Sequence, residues 1–211
     1  MSTEKNLKKM NNSYLWTFFI FNAVIFFGLF FAINFELIMT DFKSIVTYRS
    51  AGILIAPLLL FILNGILSSN QKAILVFWRI KHPLPGSRAF SLHAKKDTRI
   101  DMNQLEQLYG ILPFSPEEQN SLWYRIYKKN STEISVYQSQ KEFLLARDLV
   151  SMTFLYIVCA GLPMLFIATW PLNLYYLIFL SIEFLILVRI AQNHGSRFVT
   201  NVLAVESATA N

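Results

Sequence analysis

The sequence predicts an all-α polytopic membrane protein with four transmembrane helices and a small, mostly helical cytosolic domain between helices 2 and 3. Three observations carry this prediction. The 211 residues are 54% hydrophobic and only 15% charged, whereas soluble domains carry charge on roughly a quarter of their positions. The apolar residues gather into two pairs of runs long enough to cross a hydrocarbon core of about 30 Å. Between the pairs lies one long polar stretch, 68–147, the only part of the chain with room for a soluble domain.

Residues 1–13 form a polar cytosolic segment in which Lys5, Lys8 and Lys9 precede the first run. They resemble the start of a signal peptide. The run that follows, 14–35, is too long for a signal core and lacks a small-residue cleavage site, so it reads as a retained helix. Residues 36–49 carry Glu36, Asp41, Lys43 and Arg49 with no net charge and read as a short external loop. A second run, 50–67, contains Pro57, which membrane helices tolerate when neighbours satisfy the freed carbonyl. Together 14–67 make the first transmembrane helix pair.

The cytosolic domain, 68–147, opens with Ile74, Phe77, Trp78 and Lys81 at helical spacing, which predicts that the second span continues as far as His82 and Pro83. The basic segment 87–99 contributes Arg88, His93, Lys95, Lys96 and Arg99 against one acid, Asp97. Clustered cations of this kind suit an anionic ligand, a phosphate or a lipid headgroup. The plainer alternative is a solvated juxtamembrane loop, and no Gly-rich phosphate loop sharpens the choice. Asp101 as N-cap and Gly110 as stop bracket one short helix; Ser115, Pro116, Glu117 and Glu118 open another that ends near Asn130. The second places Leu122, Trp123, Ile126 and Tyr127 on one face, a pattern expected of core. Residues 133–138 alternate Ile134 and Val136 with polar neighbours and suggest a brief strand. A helix from about Gln140 then runs into the third span.

Residues 148–190 form the second transmembrane hairpin, turning at Trp170 to Asn173, and 191–211 are expected to be a cytosolic C-terminal tail whose Ala- and Ser-bearing end, after His194 and Arg197, is disordered. Basic residues flank all four spans on one side, so the positive-inside rule puts both termini and the middle domain in the cytoplasm. Glu183 is the one acid inside an apolar run. At about 1.5 Å per residue, Glu183, Asn22 and Tyr156 reach about the same depth and are expected to form an intramembrane polar cluster.

Catalytic chemistry finds no footing. His82, His93 and His194 are scattered, and no metal-binding or nucleophile motif appears. The single cysteine, Cys159, allows neither a disulfide framework nor a cysteine metal site. The expectation is therefore no enzyme, no cofactor and no metal. The net charge of +6 is what topology requires and does not point to specific nucleic-acid binding. A domain this small is marginal alone, which favours a homo-oligomer. The expected protein lies in the plasma membrane, the inner one of a bacterium, where its cytosolic domain meets a protein partner or a small anionic ligand. It would serve as a sensor or a membrane effector, including the kind bacteria use against phage. A small channel or transporter is the alternative, with a membrane-bound enzyme behind it.

Overall fold

The structure is a computed structural model that describes residues 2–33, 62–167 and 170–208. Among these residues it is helical throughout, with no strand. The second apolar run falls largely in 34–61, so the external loop, Pro57 and most of the second span lie outside the described residues. Among the described residues three helical stretches are long and apolar enough to cross a membrane: 10–29, 134–166 and 172–208. The chain divides into two compact units, 1–68 with 148–187, and 69–147 with 188–211. Two of the three dividing points fall inside helices and the third just ahead of Ser69.

In the first unit, α1 (Ser2–Ile33) begins within the lysine-bearing segment that was expected to precede the span. Its inner face buries Leu15, Phe19, Ala23 and Phe26 at helical spacing, while Tyr14, Ile20, Phe21 and Val24 are exposed. Only 22% of its apolar window is covered by protein. A stripe of large apolar side chains left bare in this way suits a helix that faces lipid.

The third run starts in α5 (Ile134–Tyr156), passes through one π-helical turn (Ile157–Gly161) and continues as α6 (Leu162–Ile167). Pro163 explains the wide turn. It has no N–H to give the carbonyl of Cys159, so the hydrogen-bond ladder shifts register just ahead of it. α7 (Leu172–Ala208) is a single helix of 37 residues. At about 1.5 Å per residue it spans roughly 55 Å, nearly twice a hydrocarbon core. Its apolar first half belongs to the first unit and its second half, from Val188, to the second.

The second unit is a helical domain with its own core. α2 (Ser69–Phe77) is shorter than the spacing predicts. It stops at Trp78, whose φ of 53° leaves the helical region, four residues ahead of His82. The side-chain amide of Gln192 donates to the Val76 carbonyl at 2.9 Å and so covers one orphan acceptor of the helix end. Residues 85–96 then fold as short 3-10 and π turns. Ala89, Phe90 and Ala94 are buried there, so this segment is not a solvated loop.

One side chain explains how that irregular stretch is held. The buried Gln119 carbonyl oxygen accepts from the backbone N–H groups of Phe90 and Ser91 and from the Ser91 hydroxyl, each at 3.1 Å. Its amide donates to the Phe114 carbonyl at 2.9 Å. A β-carbon at Gly86 would lie 2.6 Å from the Trp123 ring and 2.7 Å from Asn120 Oδ1, so the turn presses directly on the next helix.

α3 (Met102–Tyr109) is capped by Asp101, which accepts from Asn103 N at 2.9 Å and Gln104 N at 3.1 Å, and it stops at Gly110 with φ 75°. α4 (Pro116–Lys129) begins at Ser115 and ends at Asn130, as expected. Its Leu122, Trp123, Ile126 and Tyr127 are core. Phe198 of α7 meets Trp123 and Tyr127 edge-on, at 5.1 and 5.3 Å between centroids, and stacks on Phe143 at 6.2 Å.

Two local expectations are corrected. The supposed strand is the first turn of α5, closed by Tyr137 N donating to Glu133 O at 2.8 Å. Residues two apart share one face of a strand but lie on nearly opposite faces of a helix, and Val136 is fully buried while Ile134 is 85% exposed. The supposed disordered tail is the last part of α7, with Val199, Val202 and Leu203 in the core. Their helical spacing buries enough apolar surface to order a segment otherwise rich in Ala, Ser and polar residues.

Candidate functional site

Asn22, Tyr156 and Glu183, expected to form an intramembrane cluster, all lie in the first unit. Asn22 sits on the inner face of α1, and its amide donates to Glu183 Oε1 of α7 at 3.4 Å and to the Phe18 carbonyl at 3.3 Å. Tyr156 does not join them by a hydrogen bond. Its hydroxyl donates to the Phe19 carbonyl at 3.1 Å, which still ties α5 to α1. Thr153 and Tyr176, which the sequence reading passed over, also border Glu183. Asn22 Oδ1, Glu183 Oε2 and the Tyr176 hydroxyl are buried without a partner among the described residues. A second polar contact nearby in the chain was also missed: the Ser151 hydroxyl donates to Asn64 Oδ1. Tyr176 and Thr153 are hard to single out by sequence, because aromatic and hydroxyl side chains are common in spans and only depth and facing select them.

The five candidate residues of the basic segment separate in the second unit. Arg99 forms a two-point pair with Asp97, Nε to Oδ1 at 3.0 Å and Nη2 to Oδ2 at 2.7 Å, and also reaches Asn201 Oδ1 at 3.1 Å. Hydrogen bonding from Arg99 holds the Asp97 carboxyl down at about 2, so this charge is already matched. Lys95 lines an apolar groove of about 180 Å³ with Phe90, Met102, Leu112 and Phe114.

Arg88, His93 and Lys96 remain. His93 is buried, and its Nε2 has no partner among the described residues. Burial first, then the charges of Arg88 and Lys96, push its pKa down to about 4, so the ring is neutral at pH 7. Arg88 is half-buried, lies 6.0 Å over the Phe77 ring, and is itself lowered by burial and by the charge of Arg79. No ion pair is formed by Arg88 or Lys96 among the described residues. The result is a locally positive site with an unmatched ring nitrogen. It offers donors and charge to an anion.

The strongest polar constellation was missed by the sequence reading. Glu206 of α7 is completely buried and accepts from the Tyr109 hydroxyl at 2.5 Å, Lys129 Nζ at 2.7 Å and Asn130 Nδ2 at 2.5 Å. Burial is the largest influence on its carboxyl and pushes the pKa up, but the three hydrogen bonds and the Lys129 charge together bring it below the ordinary value. The same pairing, after burial, pushes the Tyr109 hydroxyl up to about 12. The available signal was Glu206 at the end of the stripe Phe198, Val199, Val202, Leu203. These three contacts read as a clasp that fixes the end of α7 to α3 and to the end of α4.

No group of three or more His, Cys, Asp or Glu side chains suited to a metal ion occurs among the described residues. Comparison with protein-family models, with curated proteins and with solved structures found no match.

Proposed function

We propose that this is a non-enzymatic integral membrane protein whose second unit is a cytosolic ligand-binding domain. It takes a small anionic ligand at Arg88, His93 and Lys96 and passes the event to the membrane helices, as a sensor or membrane effector does. The supporting observation is the uncompensated positive charge of Arg88 and Lys96 on the buried, unpartnered ring of His93. In the tautomer that carries its proton on Nε2, the ring would donate to a bound anion. α7 offers a route for the signal, since one unbroken helix contributes to both compact units. The positive-inside distribution of Lys and Arg supports cytoplasmic termini and a plasma-membrane location.

The test is thermal stabilisation of the purified full chain by phosphate, pyrophosphate and nucleoside triphosphates in neutral-lipid nanodiscs. Binding to the folded state raises stability by about 2.7 kcal/mol at a hundredfold excess over Kd. At least one of these anions should stabilise the natural protein and leave Arg88→Gln/Lys96→Gln unchanged. No stabilisation by any of them, or equal stabilisation of the variant, would contradict the proposal.

A further inference from the structure

A short loop of the second unit has no task in the reading above. Residues 78–82 run Trp-Arg-Ile-Lys-His between the end of α2 and Pro83. Trp78 is 64% exposed and Ile80 is 85% exposed, with Arg79 and Lys81 exposed between and beside them. Two large apolar side chains are thus held in water, interleaved with two cations. The backbone makes this costly as well. Trp78 and His82 both adopt positive φ, 53° and 49°, a region that favours glycine, and neither is glycine.

The position of Trp78 is that of a helix stop. Its N–H still donates to the Ile74 carbonyl at 2.8 Å, and its left-handed φ is the conformation that glycine commonly supplies just past a helix. A tryptophan there gives up that ease and gains an outward indole. Trp is the side chain best suited to a membrane–water interface, where its ring sits at headgroup level and its N–H stays wet. Arg and Lys beside it match the phosphates of an anionic leaflet. The covalent tether allows this placement. Only α2, nine residues long, and its flanking residues separate Trp78 from the end of the second apolar run, and at about 1.5 Å per helical residue they reach no further than roughly 20 Å.

We infer that the 78–82 loop is a membrane anchor, with Trp78 and Ile80 entering the interface of an anionic bilayer and Arg79 and Lys81 pairing with its lipid phosphates. The occupant is the lipid surface in which the protein itself resides. The anchor does not depend on the anion site at Arg88, His93 and Lys96, and its test leaves those three residues untouched.

The experiment places a polarity-sensitive fluorophore on Ile80→Cys in a Cys159→Ser background, using the full chain in nanodiscs. Phosphatidylcholine discs are compared with discs that also contain phosphatidylglycerol, and Ile111→Cys, on another exposed site, serves as reference. Emission at position 80 should shift to the blue with phosphatidylglycerol, revert in high salt, and stay unshifted at 111. At roughly fivefold per cation, Arg79→Gln/Lys81→Gln should lower the docked-to-free ratio about 25-fold. Trp78→Gly separates anchoring from folding: glycine relieves the positive φ, so the melting temperature should hold or rise while docking weakens. An aqueous spectrum at 80 in both lipids, or equal shifts at 80 and 111, would overturn the anchor. So would a blue shift in detergent that grows with protein concentration, which would mean that a second copy covers the loop.

Discussion

Glu206 accepts from three donors at once, and replacing it should expose how much the last turns of α7 depend on that contact. Glu206→Ala removes the acceptor of the Tyr109 hydroxyl and leaves Asn130 only its bond to the Ile126 carbonyl, while the exposed Lys129 can turn to water. We expect a loss of about 2–3 kcal/mol, with a smaller loss for Glu206→Gln, measured by thermal unfolding in detergent. Glu183 behaves differently because its surroundings contain an unused acceptor, Asn22 Oδ1. In Glu183→Gln the new amide keeps the acceptor for Asn22 Nδ2 and adds a donor for that oxygen. The variant should assemble and melt at least as well as the natural protein. Glu183→Leu should lose about 1 kcal/mol, the scale of a polar contact between membrane helices. Unchanged stability in Glu183→Leu would remove the cluster from the packing of α1 against α7.

His93 sets a pH dependence whose sign is fixed by its folded and unfolded values. The unfolded ring takes up a proton near 6.5, but the folded site does so only near 4. The unfolded state therefore binds more protons in between, and stability falls as the pH drops from 6.5 to 4, by up to about 3 kcal/mol. Asp97, held at about 2 by Arg99, acts in a separate window: its contribution is complete above about 4 and is lost as pH falls through 2. His93→Gln should flatten the slope between pH 6.5 and 4 and leave the more acidic one in place. An unaltered slope would mean that His93 is not the group responsible.

At the scale of elements, the turn at 85–88 is the most sensitive to added volume. Gly86→Ala puts a methyl within 2.7 Å of Trp123 and Asn120, and overpacking of this kind costs about 1–3 kcal/mol. Thermal unfolding should show that loss, against little change for an exposed control such as Asn103→Ala.

The elements that sequence reasoning placed well are those with local chemical marks. Asp101 and Gly110 bound α3, and Ser115, Pro116 and Asn130 bound α4, because caps and stops depend on a few neighbouring atoms. The elements it misplaced depend on distant partners. α2 ends at Trp78 through an unfavourable φ that no propensity suggests, and 85–96 is organised by Gln119, about thirty residues further on. The end of α7 is ordered by Tyr109, Lys129 and Asn130, none of which is near it in sequence.

For the whole molecule, composition and apolar run length were enough to give the helical class and membrane insertion, since lipid restricts a spanning chain to few solutions. The meeting of Asn22 with Glu183 was legible from depth alone, because a helix converts residue count into distance. The basic segment was legible as a cluster but not in its parts. Charge density along the chain does not tell which cation an acid such as Asp97 will take, and that pairing leaves Arg88 and Lys96 as the charges beside His93.

The central proposal, a cytosolic ligand-binding domain carried by membrane helices, rests on threading. Cysteine labelling in intact cells tests it directly, using Thr40→Cys and Asn103→Cys in a Cys159→Ser background with a membrane-impermeant maleimide. The proposal predicts labelling at 40 from outside and at 103 only after the membrane is opened. Labelling at 103 in intact cells, with 40 protected, would contradict it.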